Sequence, residues 1–457
     1  MKKIFTIIII YCCSISAFSQ YQIYSWGENN FGQLGNGSFT SSKIPVKIGN
    51  LNNWKTIFNG WGESFAINTQ GELWAWGNNS NGQLGDGTII NRNEPVKIGN
   101  DTNWIKIVSL VNYTFGLKND STLWAWGSEY GNSPYLLDTT KNWKSIYGGR
   151  YHIFGIKNDG TLWGWGKNDK GQLGDGTNIE KKFPVQIGIN NDWKFISCGI
   201  DHTMGVKSNG DLWGWGGNGK GQLGDSSNNK KNIPILVSRI NNCKEVSCGF
   251  YHTLAIKNDG SLWTWGYNDW GQLGIGGTES CNIPTQVGTV WGTLNNWKFV
   301  VCYNGHSLAI KNDGTLWAWG LNDKYQLGIN NKTNQEIPVQ VGDENNWISI
   351  TSGGYFSMAL ASDISSVNNN EINNLFIVSP NPSVDKLTIN FNFSKENFVS
   401  IAINSIEGIR VKDYFIENTN NLLNAIELDI KDLPTGTYIV SLSTKYNTES
   451  KLISVIK

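Results

Sequence analysis

The chain has 457 residues, enough for two or three domains, and its 37 basic and 37 acidic residues cancel. A net charge of zero, with only 16% charged residues, excludes an overall positive field that would hold the protein on nucleic acid or on an anionic membrane. The 53 glycines and 22 tryptophans instead indicate many short strands joined by tight turns, with a repeated use for the indole ring.

Residues 1–19 have the pattern of a signal peptide. Two lysines precede a short apolar stretch, and Ala17 and Ser19 are small residues at the −3 and −1 positions of a cleavage site. The mature chain is therefore expected to begin at Gln20. The segment 4–18 is too short for a comfortable transmembrane helix, and no later segment is apolar enough to span a membrane. We expect an exported protein without a transmembrane segment.

Residues 22–361 contain an internal repeat of about 50 residues. Each unit has a Trp-Lys-x-Ile strand, a Gly-rich turn, an apolar strand, a Lys-Asn-Asp-Gly hairpin signal and a Leu-Trp-x-Trp-Gly strand, or variants of these. Most units continue with Gly-Gln-Leu-Gly, but the third lacks this motif and is about eleven residues short. The Trp-Gly pair recurs seven times, at Trp26, Trp76, Trp126, Trp165, Trp215, Trp265 and Trp319. Each unit predicts four short antiparallel strands, as in one propeller blade.

The two ends of the repeat array are complementary. The first copy begins in mid-unit at 23–27, and the last copy, 347–361, stops just before the strand that the first copy supplies. A ring of sheets buries both faces of each sheet and protects its edges. The sequence therefore predicts an all-β fold, a seven-bladed β-propeller over residues 22–361 whose first and last segments close one blade.

Nineteen of the 22 tryptophans occupy fixed repeat positions. Two indoles separated by one residue on a strand point to the same face. Burying one indole contributes roughly 4–6 kcal/mol as a gross upper bound. We expect these rings to pack blade against blade.

The four histidines share one repeat position, where other blades have Glu63, Tyr113 or Phe356. Equivalent positions around a ring are not arranged to meet at one metal, so structural roles are predicted. Five cysteines remain in the mature chain, and their number and spacing match neither a complete disulfide framework nor a zinc pattern. Three of them share a small-residue position expected near the ring axis, Cys198, Cys248 and Cys302. A disulfide between neighbouring blades remains open.

The turn just before the histidine position varies from blade to blade and contains large side chains that sheet packing does not explain. Tyr, Trp and Arg are frequent anchors of binding surfaces, and aromatic rings also stack on sugars. Ordinary capping of the blade ends is the alternative. The predicted ligand-binding face consists of Trp61, Arg150, Tyr151, Asp201, Phe250, Tyr251 and Tyr355. Trp270 and Trp291 are expected to form a second, weaker patch on another surface.

Segments 165–174, with Trp-Gly-x-Asn-x-x-Gly-Gln-Leu-Gly, and 199–210, with Gly-x-x-His-Thr before an apolar strand, resemble the regulator-of-chromosome-condensation repeat family. The resemblance covers about residues 22–361 and implies a seven-bladed propeller. Exchange factors of this family act on a nuclear GTPase, partly through an inserted β-wedge that this chain lacks. Secreted bacterial propellers of the family that inhibit β-lactamases are closer in setting, which implies a protein-binding face.

Composition changes after the polar segment 362–374, which is predicted to be a linker. Residues 375–457 lack Trp and contain short alternating strands, typical of a small β-sandwich. Ser-Pro-Asn-Pro at 379–382 and Leu-Pro-Thr-Gly-Thr-Tyr at 433–438 resemble the C-terminal sorting domain of the type IX secretion route. That resemblance implies recognition by the secretion machinery and later removal of the domain. A generic adhesive sandwich is the alternative.

These features predict a secreted or cell-surface protein that binds a protein or a glycan on one propeller face. No catalytic motif, metal site or cofactor site is predicted, and no nucleic-acid partner. An extracellular polysaccharide-active enzyme with a loop-built site is the alternative, with Glu63 and Asp201 as candidate carboxylates on different blades. A purely structural surface component is a third hypothesis.

Overall fold

The computed structural model describes the propeller region at 21–288 and 296–362. It describes the C-terminal region, with seven strands, in six shorter segments, 376–379, 384–391, 398–405, 410–417, 425–443 and 448–455. The chain divides into two compact units after residue 363. The predicted signal peptide, nearly all of the predicted linker and Trp291 lie outside the described residues.

Seven four-stranded antiparallel sheets make up the first unit. The first two strands in the chain are β1 (Tyr21–Gly27) and β2 (Ser42–Lys47). The second blade contains β3 (Trp54–Asn59), β4 (Glu63–Asn68), β5 (Leu73–Gly77) and β6 (Arg92–Lys97). The third blade contains β7 (Trp104–Ser109), β8 (Thr114–Lys118), β9 (Leu123–Trp126) and β10 (Tyr135–Asp138), with a 3₁₀ turn at Ser128–Tyr130. The fourth blade contains β11 (Trp143–Gly148), β12 (His152–Lys157), β13 (Leu162–Gly166) and β14 (Lys181–Gln186).

The next three blades repeat this order. The fifth contains β15 (Trp193–Cys198), β16 (His202–Lys207), β17 (Leu212–Gly216) and β18 (Lys231–Leu236). The sixth contains β19 (Cys243–Cys248), β20 (His252–Lys257), β21 (Leu262–Gly266) and β22 (Cys281–Gln286). The seventh contains β23 (Trp297–Cys302), β24 (His306–Lys311), β25 (Leu316–Gly320) and β26 (Gln335–Gln340). The last two propeller strands are β27 (Trp347–Ser352) and β28 (Phe356–Ser362).

The first blade is assembled from both ends of the propeller. Its strand order is β2-β1-β28-β27, and β1 pairs with β28 in continuous antiparallel register from Tyr21 opposite Ser362 to Gly27 opposite Phe356. The two incomplete repeats at the ends of the array thus complete one sheet. The pairing of β1 with β28 therefore closes the ring.

The second indole of each Trp-x-Trp pair is buried between blades. Trp76, fully buried, packs with Ile23 and Met358 of the first blade, and its Nε1 donates a hydrogen bond to the Gln33 carbonyl at 3.0 Å. A Cβ at Gly35 would lie 2.6 Å from that Nε1, so this position of the Gly-Gln-Leu-Gly motif requires glycine. The repeated motif and the repeated indole are therefore two halves of one contact between neighbouring blades.

The first indole of each pair is half-buried, and in five of the six pairs a lysine covers it, whereas the second blade has Asn68 at the lysine position. Lys118 Nζ lies 3.7 Å from the ring centroid of Trp124 and 4.6 Å from that of Trp104, a cation–π arrangement. The lysines of the other Lys-Asn-Asp-Gly or Lys-Ser-Asn-Gly turns lie over the equivalent rings. The expected packing role of the paired indoles is therefore met, with one ring of each pair partly accessible.

The second unit contains two sheets. The first has the order β29-β30-β33, with strands β29 (Phe376–Ser379), β30 (Lys386–Phe391) and β33 (Ala425–Asp429). The second has the order β32-β31-β34-β35, with strands β31 (Phe398–Ser405), β32 (Arg410–Glu417), β34 (Gly436–Ser443) and β35 (Thr448–Val455). Leu387 and Leu428 of one sheet share a buried core with Ile401 and Val440 of the other. Of the described residues, none belongs to a helix long and apolar enough to span a membrane. The predicted fold class, an all-β seven-bladed propeller followed by a small β-sandwich, is confirmed.

Candidate functional site

The turns that contain the predicted face lie at one end of the propeller, together with the Gly-Gln-Leu-Gly loops. In the second blade Glu63 at the start of β4 is opposite Gly77 at the end of β5, and His252 is opposite Gly266 in the sixth. The turn before each second strand and the loop after each third strand therefore emerge side by side. We call this side of the ring the loop end.

Side chains from distant blades meet at the centre of the loop end. The rings of Trp61 and Phe250, from the second and sixth blades, are stacked with centroids 5.7 Å apart and planes 9° apart. The Arg150 guanidinium of the fourth blade lies 4.5 Å from the Trp61 centroid, 5.0 Å from that of Phe250 and 5.2 Å from that of Tyr151. Six predicted residues form this axial cluster, namely Trp61, Arg150, Tyr151, Phe250, Tyr251 and Tyr355.

Arg150 has no carboxylate partner in the described part of the chain. None of the ion pairs found there includes it, and its buried Nε has no hydrogen-bond acceptor. Its charge is stabilised by the faces of three rings, an interaction that leaves the hydrogen-bonding capacity of the guanidinium unused. The cluster therefore presents a positioned cation with free donors.

Asp201, the seventh predicted residue, lies at the edge of the cluster. Its Oδ1 accepts a hydrogen bond from Gln222 Nε2 at 3.3 Å, and burial raises the pKa of its carboxyl. Asp201 and Tyr251 occupy the same turn position in the neighbouring fifth and sixth blades, and burial and then the charge of Asp201 raise the pKa of Tyr251. The structure thus brings six of the predicted residues into contact and places Asp201 beside them.

The aromatic surface is larger than the sequence predicted. Tyr303 packs against Phe250 at 5.5 Å between centroids, and Tyr267 lies against Tyr251 at 6.4 Å and against Trp270 at 5.3 Å. The expectation that Trp270 belongs to another surface is wrong, because the loop after β21 emerges beside the turn before β20. Antiparallel connectivity alone could have shown this from the sequence.

The inner strands of all seven blades line an axial cavity of about 220 Å³. Cys198, Cys248 and Cys302 are among its walls, as the small-residue position predicts. All five cysteines of the described chain are free, and burial raises the pKa of these three thiols, so they are protonated. In the described ranges no three His, Cys, Asp or Glu side chains are grouped to hold a metal ion.

Each histidine of the shared repeat position bridges to the next blade. The Nε2 of His202 lies 3.1 Å from the Thr253 hydroxyl, and His152, His252 and His306 make equivalent contacts. Complete burial lowers the pKa of all four to about 3, so the rings are neutral. These histidines are positioned as links between blades.

Glu63 takes the place of the histidine in the second blade. Its Oε1 accepts a 2.5 Å hydrogen bond from the Ser109 hydroxyl of the third blade, and its Oε2 accepts one from the Gly62 amide at 3.0 Å. Burial raises its pKa to about 7, against the lowering effect of these bonds. The side chain is fully enclosed, so Glu63 cannot contact a substrate at the surface.

Comparisons with known proteins agree with this architecture. The model of the regulator of chromosome condensation (RCC1) repeat matches residues 22–67, 70–119, 159–206, 209–256, 259–310 and 313–360. The interval without a match contains the short third repeat. A second RCC1 repeat model matches residues 143–172, 193–222, 243–272 and 297–326, and the secretion system C-terminal sorting domain matches 378–456. No curated protein matches the chain.

Solved structures show the same fold at low sequence identity. Yeast RCC1 (Prp20), solved bound to Kap60, is 20% identical with a TM-score of 0.68, over 76% of this chain and 90% of its own. Prp20p from Saccharomyces cerevisiae, solved separately, is 21% identical with a TM-score of 0.68, over 77% and 93%. Human WBSCR16 is 19% identical, also with a TM-score of 0.68, over 75% and 99%. The chain belongs to the RCC1 repeat family and carries a secretion system C-terminal sorting domain.

Proposed function

We propose that the protein works outside the cell as a binding protein, and that the loop end of its propeller holds a protein partner through the axial cluster. The observation that supports this most directly is Arg150, a guanidinium held by three aromatic rings and paired with no carboxylate of the described residues. Arginine presents its N–H groups in a fixed fork that matches a carboxylate. We therefore expect an Asp or Glu side chain of the partner at the centre of the interface.

The surrounding rings supply the remaining contact area. Trp61, Tyr251 and Tyr355 are partly exposed, and Tyr151 is 38% exposed. Rigid aromatic side chains around one charged residue are the usual composition of a binding hot spot, where a few residues contribute most of the affinity. Proteins of the RCC1 repeat family are mostly binding proteins or exchange factors, which supports a binding role for this propeller.

Export follows the sorting-domain match. We propose that the signal peptide 1–19 is removed, that the type IX machinery recognises residues 375–457, and that this domain is cleaved after passage across the outer membrane. The mature product would then be the propeller, released or held at the cell surface. The match of residues 378–456 to the secretion system sorting domain supports this route.

The test is a pull-down from the organism's surroundings with the full mature chain as bait, with a glycan array in parallel. The double variant that combines Trp61→Ala and Tyr251→Ala is expected to bind the captured partner at least a hundredfold more weakly, because each of two hot-spot residues contributes about 2 kcal/mol or more. Arg150→Ala should weaken it as well, with a reduced dependence on salt.

Tyr135→Ala is the matched control, since this tyrosine is 60% exposed on the outer strand β10, away from the axis. Equal binding by the Trp61 and Tyr251 double variant would refute the assignment of the face. Binding to a glycan alone would replace the protein partner by a carbohydrate. Turnover of a polysaccharide that is lost on changing Asp201 would favour the enzyme hypothesis.

A further inference from the structure

Six of the seven junctions between blades are filled by a loop that crosses from one blade to the next. In each, a main-chain N–H of the loop after the third strand donates to a carbonyl in or just before the outer strand of the following blade. These bonds run from Gly37 to Asn93, Gly87 to Asn132, Gly176 to Asn232, Ser226 to Asn282, Gly276 to Glu336 and Asn330 to Lys43, at 2.8–3.0 Å.

The glutamine carbonyl of each bridging loop completes the junction. Gln33 O accepts from the Ser64 hydroxyl at 2.8 Å and from Trp76 Nε1 at 3.0 Å, both in the following blade. All six loops receive the hydroxyl bond, and five receive the indole bond. Each loop therefore offers its neighbour one main-chain donor and one main-chain acceptor.

The junction between the third and fourth blades lacks this loop. In the fourth blade Ile153, which is 1% exposed, occupies the position of the Ser or Thr hydroxyl. The hydroxyl donor is therefore missing together with the glutamine carbonyl that would accept from it. The indole of Trp165 remains, 3% exposed, and its Nε1 makes no hydrogen bond in the described chain. Tyr130, from the 3₁₀ turn, packs into the cluster around Trp165. At another junction the corresponding cluster around Trp126 contains the bridging-loop leucine Leu84 instead.

A cleft of about 500 Å³ remains at this junction. Aromatic rings line it, with Phe115 in edge contact with both Tyr130 and Trp165 at 69° and 79° between planes. Two carboxylates, Glu129 and Glu180, also line it, and neither belongs to an ion pair found in the described ranges.

The charges around the cleft favour a cation. The hydroxyl of Tyr113 donates to Glu129 at 2.9 Å, and burial together with the charges of Glu129 and Glu180 raises the pKa of Tyr113 to about 12. Lys181 is paired with Asp175 at 3.2 Å, and Lys182 is exposed at the rim. The cleft thus has aromatic walls, and its two carboxylates, Glu129 and Glu180, are exposed to solvent where a charged side chain can reach them.

We propose that this cleft binds a segment of a partner protein whose main chain replaces the missing loop and whose lysine or arginine side chain reaches Glu129 and Glu180. A main-chain carbonyl of the segment accepts from Trp165 Nε1, and a main-chain N–H donates to the Lys182 carbonyl, which no bridging loop contacts. The basic side chain lies on aromatic faces and ends at the carboxylates.

A peptide fits this cleft better than a sugar does. The unused donor and acceptor are those that a main chain satisfies in the other junctions, and the rings stand at steep angles to one another instead of forming one flat platform. Tyr151 lines the cleft and also belongs to the axial cluster, so the two sites adjoin. The inference does not depend on the proposed function of that cluster.

The test is selection of a displayed library of random heptapeptides on the full mature chain, followed by affinity measurement on the enriched peptides. Enrichment of lysine and arginine is expected, with at least tenfold weaker binding to the variant that combines Glu129→Gln and Glu180→Gln. The control combines Glu94→Gln and Glu279→Gln, two exposed carboxylates at other junctions, and should bind as the unmodified chain does.

A second variant fills the cleft with a bridging loop taken from another junction of the same protein. Residues 128–134 are replaced by the bridging-loop sequence 167–180, with Ile153→Thr to restore the hydroxyl. This graft should abolish peptide binding and raise the melting temperature; if it fails to fold, the Glu129 and Glu180 variant still decides. Enrichment without basic residues, binding that the charge variant leaves unchanged, or a glycan that competes for the cleft would overturn the proposal.

Discussion

Glu63 makes the stability of the propeller depend on pH near neutrality. Burial raises the pKa of its carboxyl to about 7 in the folded protein, against 4.5 for an ordinary glutamate. Between these two values the folded protein retains a proton that the unfolded chain has released, so the free energy of unfolding falls as pH rises. At 1.36 kcal/mol for each pH unit, the loss reaches about 3 kcal/mol by pH 7 and persists above it.

Glu63→Gln removes this titration and keeps the shape of the side chain. The variant should equal the unmodified protein in stability near pH 4.5 and exceed it by about 3 kcal/mol at pH 8. Urea unfolding followed by tryptophan fluorescence measures the difference, because residues 375–457 contain no Trp and the signal reports the propeller alone. Glu94→Gln on the exposed face of β6 is the control. An unfolding free-energy difference between variant and parent that stays constant from pH 4.5 to 8 would refute the reasoning.

Two further predictions concern the contacts between blades. Burial lowers the pKa of His202 to about 3, whereas a histidine of the unfolded chain takes up a proton near pH 6.5. The free energy of unfolding therefore falls as pH falls below 6.5. His202→Gln should therefore reduce the destabilisation between pH 7 and pH 5 by about 2 kcal/mol in urea titrations. Trp76→Ala should cost about 3–5 kcal/mol of unfolding free energy, since the ring is fully buried. Trp74→Ala should cost less when both are measured by calorimetry, since this ring is only half-buried. Equal costs for the two indoles would contradict the packing described.

The repeated features of the molecule could be predicted from the sequence, and the features that depend on the closed ring could not. The positions of Trp76 and its counterparts determine the strands, the faces and the number of blades. That Trp61 and Phe250 touch depends on the diameter of the ring and on the reach of side chains across its axis. Residue spacing along the chain contains neither quantity.

Other features escaped because they are departures from the repeat. The missing Gly-Gln-Leu-Gly motif was visible in the sequence, but Ile153 and Tyr130 acquire meaning only when the equivalent contacts of six other junctions are known. Glu63 occupied a recognised position, yet its raised pKa follows from complete burial beside Ser109, which composition does not indicate. Trp270 lies beside Tyr267 at the loop end because the loop after β21 emerges there, which the repeat positions alone do not indicate.

The pairing of β1 with β28 has a consequence for the protein's lifetime after export. The contacts join residues more than 300 positions apart, so the ring cannot close before nearly the whole propeller has been made and gathered, which slows folding. Once closed, neither terminal strand can peel away without breaking a ladder of seven residue pairs that spans the whole register. A protein that leaves the cell loses access to chaperones and meets proteases, and there a slow rate of opening protects it more than equilibrium stability does.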